Sequence, residues 1–102
     1  MAQSQSQLQL ILETLLGSRN VYFQPPTNVI MQYPCIVYSR NALDQKFANN
    51  RPYQFTKQYQ VTVIDRNPNS GIPDKVAALP LCAFETFFTK DNLNHDVFNL
   101  FF

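Results

Sequence analysis

Apolar and polar residues alternate with a period of two from Tyr53 to Arg66, the longest run in the chain that obeys a single period. Phe55, Lys57, Tyr59, Val61 and Val63 fall on one side; Gln54, Thr56, Gln58, Gln60 and Thr62 fall on the other. The apolar side is β-branched and aromatic, which suits a pleated, half-buried surface, and the opposite side is uncharged amide and hydroxyl. A helical period fails, because steps of three and four from Tyr59 meet Thr56 and Thr62 as well as Phe55 and Val63. The pattern predicts a long central strand in an antiparallel sheet with one covered face. Its Gln/Thr side suits either water or another polar protein surface.

A second period governs the start of the chain. Leu8, Ile11, Leu12, Leu15 and Leu16 recur at steps of three and four, with Gln7, Gln9 and Glu13 opposite, which predicts an amphipathic helix over Ser4 to Leu16. Ser4 with Gln7, or Ser6 with Gln9, can form a capping box, and Gly17 stands where a left-handed C-terminal residue is wanted. The leucine stripe is expected to cover the sheet.

Between Ser18 and Pro34 the signals are mixed: Val21-Tyr22-Phe23 reads as a short strand that Pro25-Pro26 breaks. Pro34 is expected to open a strand through Cys35-Ile36-Val37-Tyr38, followed by a turn at Asn41–Asp44, a strand at Gln45–Ala48 and a turn at Asn49–Pro52, making a three-stranded meander with the central strand. Asn67–Gly71 is a loop by composition, and Ile72–Leu79 is a short helix with Pro73 and Asp74 in its first turn, ended by Pro80. A hairpin follows: Phe84–Phe88, a turn at Thr89–Asn92, then Asn94–Phe102. The last strand is apolar on both sides, with Phe98, Leu100 and Phe102 opposite Val97 and Phe101, so it lies centrally in the sheet or meets another subunit. The expected fold class is α+β: one domain over 1–102, an N-terminal helix on a four- to five-stranded, mainly antiparallel sheet, and a short second helix before a C-terminal β-hairpin.

Composition narrows the function classes. A chain of 102 residues supports a single core without staples. With 8 basic and 7 acidic residues the net charge is +1, so no global field favours sequence-specific or nonspecific nucleic-acid binding. Asn and Gln occupy ten positions each, which puts neutral amides on the surface and suits equally a subunit that buries polar surface against neighbours and the ordinary amide-rich usage of an AT-rich genome. No apolar run reaches membrane-spanning length, and the Met1–Gln7 start lacks a signal peptide's basic and apolar regions, so the expectation is a cytosolic product with no membrane partner. Cys35 and Cys82 sit among apolar residues and are expected to be free, buried thiols.

Candidate chemistry is sparse. His95 is the single histidine, and on a strand its side chain and that of Asp96 point to opposite faces, which excludes an orienting hydrogen bond between them. The sequence shows no metal-ligand spacing, no glycine-rich phosphate loop and no nucleophile elbow. Asp65-Arg66 reads as a strand-end ion pair. The expectation is a non-enzymatic protein with no catalytic, metal or cofactor-binding residues. The middle of the chain is basic (Arg40, Lys46, Arg51, Lys57 and Arg66 against Asp44 and Asp65), whereas the last third is acidic (Asp74, Glu85, Asp91 and Asp96 against Lys75 and Lys90).

Four stretches together carry a family likeness: Tyr33–Tyr38; Phe47–Tyr53 leading into Tyr59–Pro68; Ile72–Val76; and Asp91–His95. In this order they resemble the small tail-completion or tail-terminator neck proteins of long-tailed bacteriophages, with the word-level similarity concentrated between Tyr33 and Phe102. The resemblance implies an α–β domain that assembles with itself as a ring, commonly of six copies. The ring would cap the tail tube protein, stop tube growth and present the joining surface to a head-side neck or connector protein. It implies a virion location in the tail or neck, reached from the host cytoplasm. Ring closure would bury the Gln/Thr face, represented by Gln54, Thr56, Gln58 and Gln60, and the last strand, represented by Phe98, Leu100, Phe101 and Phe102; these eight are the candidate subunit-interface residues. Two other readings stay open at this point: another neck, head–tail adaptor or tail subunit, and a small monomeric phage-encoded binding module.

Overall fold

Ser4 starts the first helix by the expected device. In the computed structural model, which describes residues 4–48 and 51–102 and the side chains of those outside 41–56, the Gln7 amide donates to Ser4 Oγ (3.3 Å) while the Ser4 amide donates to Gln7 Oε1 (2.8 Å). Helix α1 (Gln5–Leu16) ends at Gly17, whose φ of 81° is the left-handed conformation that a side chain resists, with its N–H donating to Glu13 O at 2.9 Å. Leu8 and Leu12 are fully buried, Leu15 and Leu16 pack at the margin, and Ile11 lies partly exposed. Gln9 does not stay on the solvent side: it takes the Tyr38 hydroxyl hydrogen on Oε1 and donates from Nε2 to Val21 O (3.1 Å) and Glu13 Oε2 (2.9 Å). The same Tyr38 oxygen accepts from Gln5 Nε2, so a buried phenol at the helix–sheet junction is fully satisfied.

The remaining elements are β1 (Val21–Phe23), β2 (Cys35–Ala48), β3 (Arg51–Asp65), α2 (Ile72–Ala77), β4 (Cys82–Lys90) and β5 (Leu93–Phe101). They give the expected α+β element order around one five-stranded sheet, ordered β1-β2-β3-β5-β4. β1 pairs parallel with β2, and every other neighbouring pair is antiparallel. β4 therefore runs parallel to β3 with β5 between them, and α2 lies in the crossover.

The expected meander is corrected. Asn41–Asp44 does not turn the chain; β2 runs through it as a single strand of 14 residues, because a register shift between Arg40 and Ala42 absorbs Asn41 without breaking the ladder to β3. The third strand of this half is Val21–Phe23, on the far side of β2. The turn expected at Asn49–Pro52 falls partly on residues 49 and 50, outside the described residues; Arg51 and Pro52 already belong to β3.

Cross-strand register sorts the side chains into rows. Facing the helices are Val21–Ile36–Val63–Asp96–Phe87, then Phe23–Tyr38–Val61–Phe98–Phe84, then Arg40–Tyr59–Leu100–Cys82. These rows supply most of the core with Leu8, Leu12 and Val76. Phe23, Tyr38 and Tyr59 form an aromatic group within it, with ring centroids 4.9–6.4 Å apart. The other face holds Cys35–Ile64–His95–Phe88, Val37–Thr62–Val97–Thr86 and Ser39–Gln60–Asn99, and no helix or strand among the described residues packs on it. That face is less polar than the Gln/Thr alternation suggests, since Ile64, Cys35 and Val97 are buried there beside Gln60 and Thr62.

Both cysteines are free, but only Cys35 is fully buried; Cys82, on the edge strand, is half-buried. Burial, with a smaller contribution from the Asp65 charge, pushes the Cys35 thiol up to about 12. Asp65 does not pair with Arg66. Its carboxylate accepts the Asn67 amide at 2.9 Å in an Asx turn, and the Arg66 guanidinium lies 5.5 Å from the centroid of the Tyr33 ring.

Candidate assembly interface

β4 and β5 are joined by a two-residue loop, Asp91 (φ 55°) and Asn92 (φ 62°), the pair of left-handed residues that matches the twist of a tight hairpin. The hairpin places β5 inside the sheet and leaves β4 as its edge. Every residue of β4 after Cys82 is exposed, including Phe84 (58%), Phe87 (52%) and Phe88 (44%). A register shift between Phe84 and Thr86 decides where these rings go. Phe84 pairs with Phe98 on the helix side, Glu85 is the extra residue, and Phe87 returns to the helix side opposite Asp96, while Phe88 pairs with His95 on the other face. Phe84 meets Phe98 edge-on at 5.6 Å, and Phe88 stacks on the His95 ring at 4.5 Å with an interplanar angle of 11°. The edge is thus apolar on both faces, and among the described residues no strand pairs with its outer backbone. That combination is the kind that adds a strand from another chain.

Glu85 ties the polar face together. Its carboxylate accepts from Gln60 Nε2 (3.2 Å) and Asn99 Nδ2 (3.0 Å), so three strands are linked by one acid and two amides. A carboxylate oxygen accepts, so the Asn99 nitrogen is turned to Glu85 and Asn99 Oδ1 is left buried without a partner among the described residues.

On the helix side, Asp96 lies beside Phe87 at a cleft of about 410 Å³ that Asp65, Ser70, Asp74 and Asn94 also line. Burial raises the Asp96 carboxyl, the charge of Asp74 raises it further, and His95 opposes both. The folded chain therefore binds this proton more readily than the unfolded one. Ionised Asp96 subtracts from stability at neutral pH, and the penalty is relieved as pH falls through the raised folded value. Asp96→Asn is expected to raise the thermal midpoint at pH 7 and to lose that advantage as the medium is acidified into the range where the wild-type residue takes up its proton. An equal gain at both pH values would assign the effect to something other than titration.

The eight interface residues expected from the sequence are placed differently from one another. Phe98 (3% exposed) and Leu100 (1%) are in the core beneath the helices and cannot meet a neighbour in the folded chain. Phe101 and Phe102 are half-buried at the end of β5, and the Phe102 amide donates to Lys57 O at 2.9 Å. Gln58 and Gln60 are half-buried on the second face, and the side chains of Gln54 and Thr56 lie outside the described residues. The sequence reading placed a strand at Phe84–Phe88 but named none of its residues as interface candidates. The signal was present in Phe84, Phe87 and Phe88, whose spacing breaks strict alternation and puts apolar rings on both faces. His95 and Asp96 do face opposite ways, as strand geometry requires. Among the described residues no three His, Cys, Asp or Glu side chains gather as a metal site, and no helix is long and apolar enough to cross a membrane. No family model matches this chain, and no curated protein or solved structure matches it.

Proposed function

We propose that this chain is a structural subunit that works by self-assembly: a tail-terminator or tail-completion protein at the head-proximal end of a long-tailed phage tail. The observation that carries the assembly part is the β4 edge, an exposed strand with phenylalanines on both faces. A chain that stayed alone would leave that edge open to uncontrolled pairing. The tail assignment rests on the resemblance carried by Tyr33–Tyr38, Phe47–Tyr53 with Tyr59–Pro68, Ile72–Val76 and Asp91–His95.

The mechanism is geometric and needs no catalytic group, metal or cofactor. Copies joined by unlike surfaces close into a ring. Seated on the last layer of tail tube protein, the ring offers a surface that the next tube subunit does not fit, so growth stops and a head-side connector protein can join. The subunit would be made in the host cytoplasm and end in the virion. Phage assembled without this protein should yield tails of irregular length under the electron microscope, and uniform tails would remove the terminator role.

A further inference from the structure

Two parts of the fold lack a neighbouring strand among the described residues. One is the outer edge of β4. The other is the distal half of the β2–β3 hairpin. β1 pairs with β2 only over Ile36–Tyr38, and β5 pairs with β3 only from Gln58 onward, so the arm made by Asn41–Ala48 and Arg51–Thr56 has no third strand among the described residues. The arm contributes to a long axis of 51 Å in a molecule otherwise 24 × 23 Å. A two-stranded ribbon on its own is marginally stable in water. The arm leaves the sheet along the strand direction and two strands away from β4, so it does not reach the β4 edge of its own chain.

We infer that the β2–β3 arm of one copy lies along the β4 edge of the next copy, extending its sheet across the subunit boundary. This names the contact behind the self-assembly proposed above and rests on that reading. The lengths agree: the six residues Arg51–Thr56 span about 20 Å at roughly 3.3 Å per residue, and the nine residues of β4 span about 30 Å. The charges agree as well. Lys46 and Arg51 on the arm outnumber Asp44, with Arg40 and Lys57 at its base, whereas Glu85, Asp91, Asp96 and Asp74 around β4 outnumber Lys75 and Lys90. Backbone pairing at the edge supplies affinity, and Phe84, Phe87 and Phe88 supply apolar surface on either side of the added strand. The two surfaces differ and lie at different ends of the sheet, so the contact is head-to-tail, the type that closes into rings.

The test is cross-linking between two variants with one accessible thiol each, Lys46→Cys on the arm and Thr86→Cys on β4. Both are made in a Cys82→Ser background, in which buried Cys35 is silent. Each is first checked for a wild-type circular dichroism spectrum and melting curve. A short bismaleimide is expected to give a cross-linked dimer when the two variants are mixed at assembling concentration, and little when either is treated alone. Thr86→Cys cross-linking to itself would mean that β4 edges pair symmetrically and would overturn the inference. So would an assembly, in solution or on tails, with no arm-to-β4 product. Irregular tails without this protein, combined with no such product, would keep the terminator reading and discard this contact. Uniform tails with the product present would do the reverse.

Discussion

Phe98→Ala is expected to lower the stability of the chain by about 3–5 kcal/mol, the usual cost of removing a buried phenyl ring. Phe98 is 3% exposed, stands in a core row between Val61 and Phe84, and presents its ring to the edge of Phe84. Removing it opens a cavity under the helices and strips the inner partner from an edge-strand aromatic. Against a total of roughly 5–15 kcal/mol for a domain, that is a large fraction. Thermal midpoints of chains near this size move by about 4–8 °C per kcal/mol, so a fall of at least roughly 12 °C is the readout. Phe84→Ala is the informative comparison. The same chemical deletion at a ring 58% exposed removes one edge-to-face contact and creates no closed cavity, so its cost is about 1 kcal/mol. A Phe84→Ala loss as large as that of Phe98→Ala would show that β4 is part of the core rather than a surface held open for another chain.

This contrast shows where the sequence was readable. Tyr59, Val61 and Val63 are buried beneath the helices as the period of two required, because β3 has neighbours on both sides and one covered face over that stretch. The α1 leucines and both of its caps were equally legible, since helix ends are decided locally by Ser4, Gln7 and Gly17. What misled was competition between local and distant demands. Asn41–Asp44 has turn-forming residues, yet the partner strand β3 continues unbroken, and a single shift at Asn41 costs less than abandoning the ladder. Phe98 and Leu100 looked like interface residues because β5 is apolar on both sides. The structure resolves that ambiguity by placing β5 inside the sheet and sending β4 to the edge. Strand order is a long-range property that no period within either strand records.

The proposed site follows the same division. The amide and hydroxyl character of the second face was visible in Gln58, Gln60 and Thr62, but its organisation depends on Glu85 reaching two other strands after the register shift in β4. The exposed phenylalanines were visible as residues and illegible as a surface, because exposure depends on α1 packing at the β1–β2 side of the sheet, while the short α2 touches β4 without covering its rings. The basic middle and acidic last third of the chain likewise pointed to a particular contact only when the fold put them on the arm and around β4.

Leu12→Ala is the second large effect expected, about 2–5 kcal/mol. Leu12 is fully buried on α1, against the rows that contain Tyr38 and Tyr59. Alanine is the best helix former, so the substitution does not weaken α1 as a helix, and what is lost is packing alone. Urea unfolding should therefore show a lower midpoint with a similar slope, meaning that the same surface is exposed from a less stable native state. Leu10→Ala, on the same helix and 64% exposed, should change the unfolding free energy by no more than about 0.5 kcal/mol. If the two variants were equally damaging, α1 would be buried on two sides within the chain itself. If Leu12→Ala were as mild as Leu10→Ala, the helix would not be what seals the sheet. The expected ordering, severe at Leu12 and slight at Leu10, makes α1 a lid with one working face, held in place by Gln5 and Gln9 on the Tyr38 hydroxyl. It also leaves β4 outside the protection of that lid, which is the condition that assembly through its edge requires.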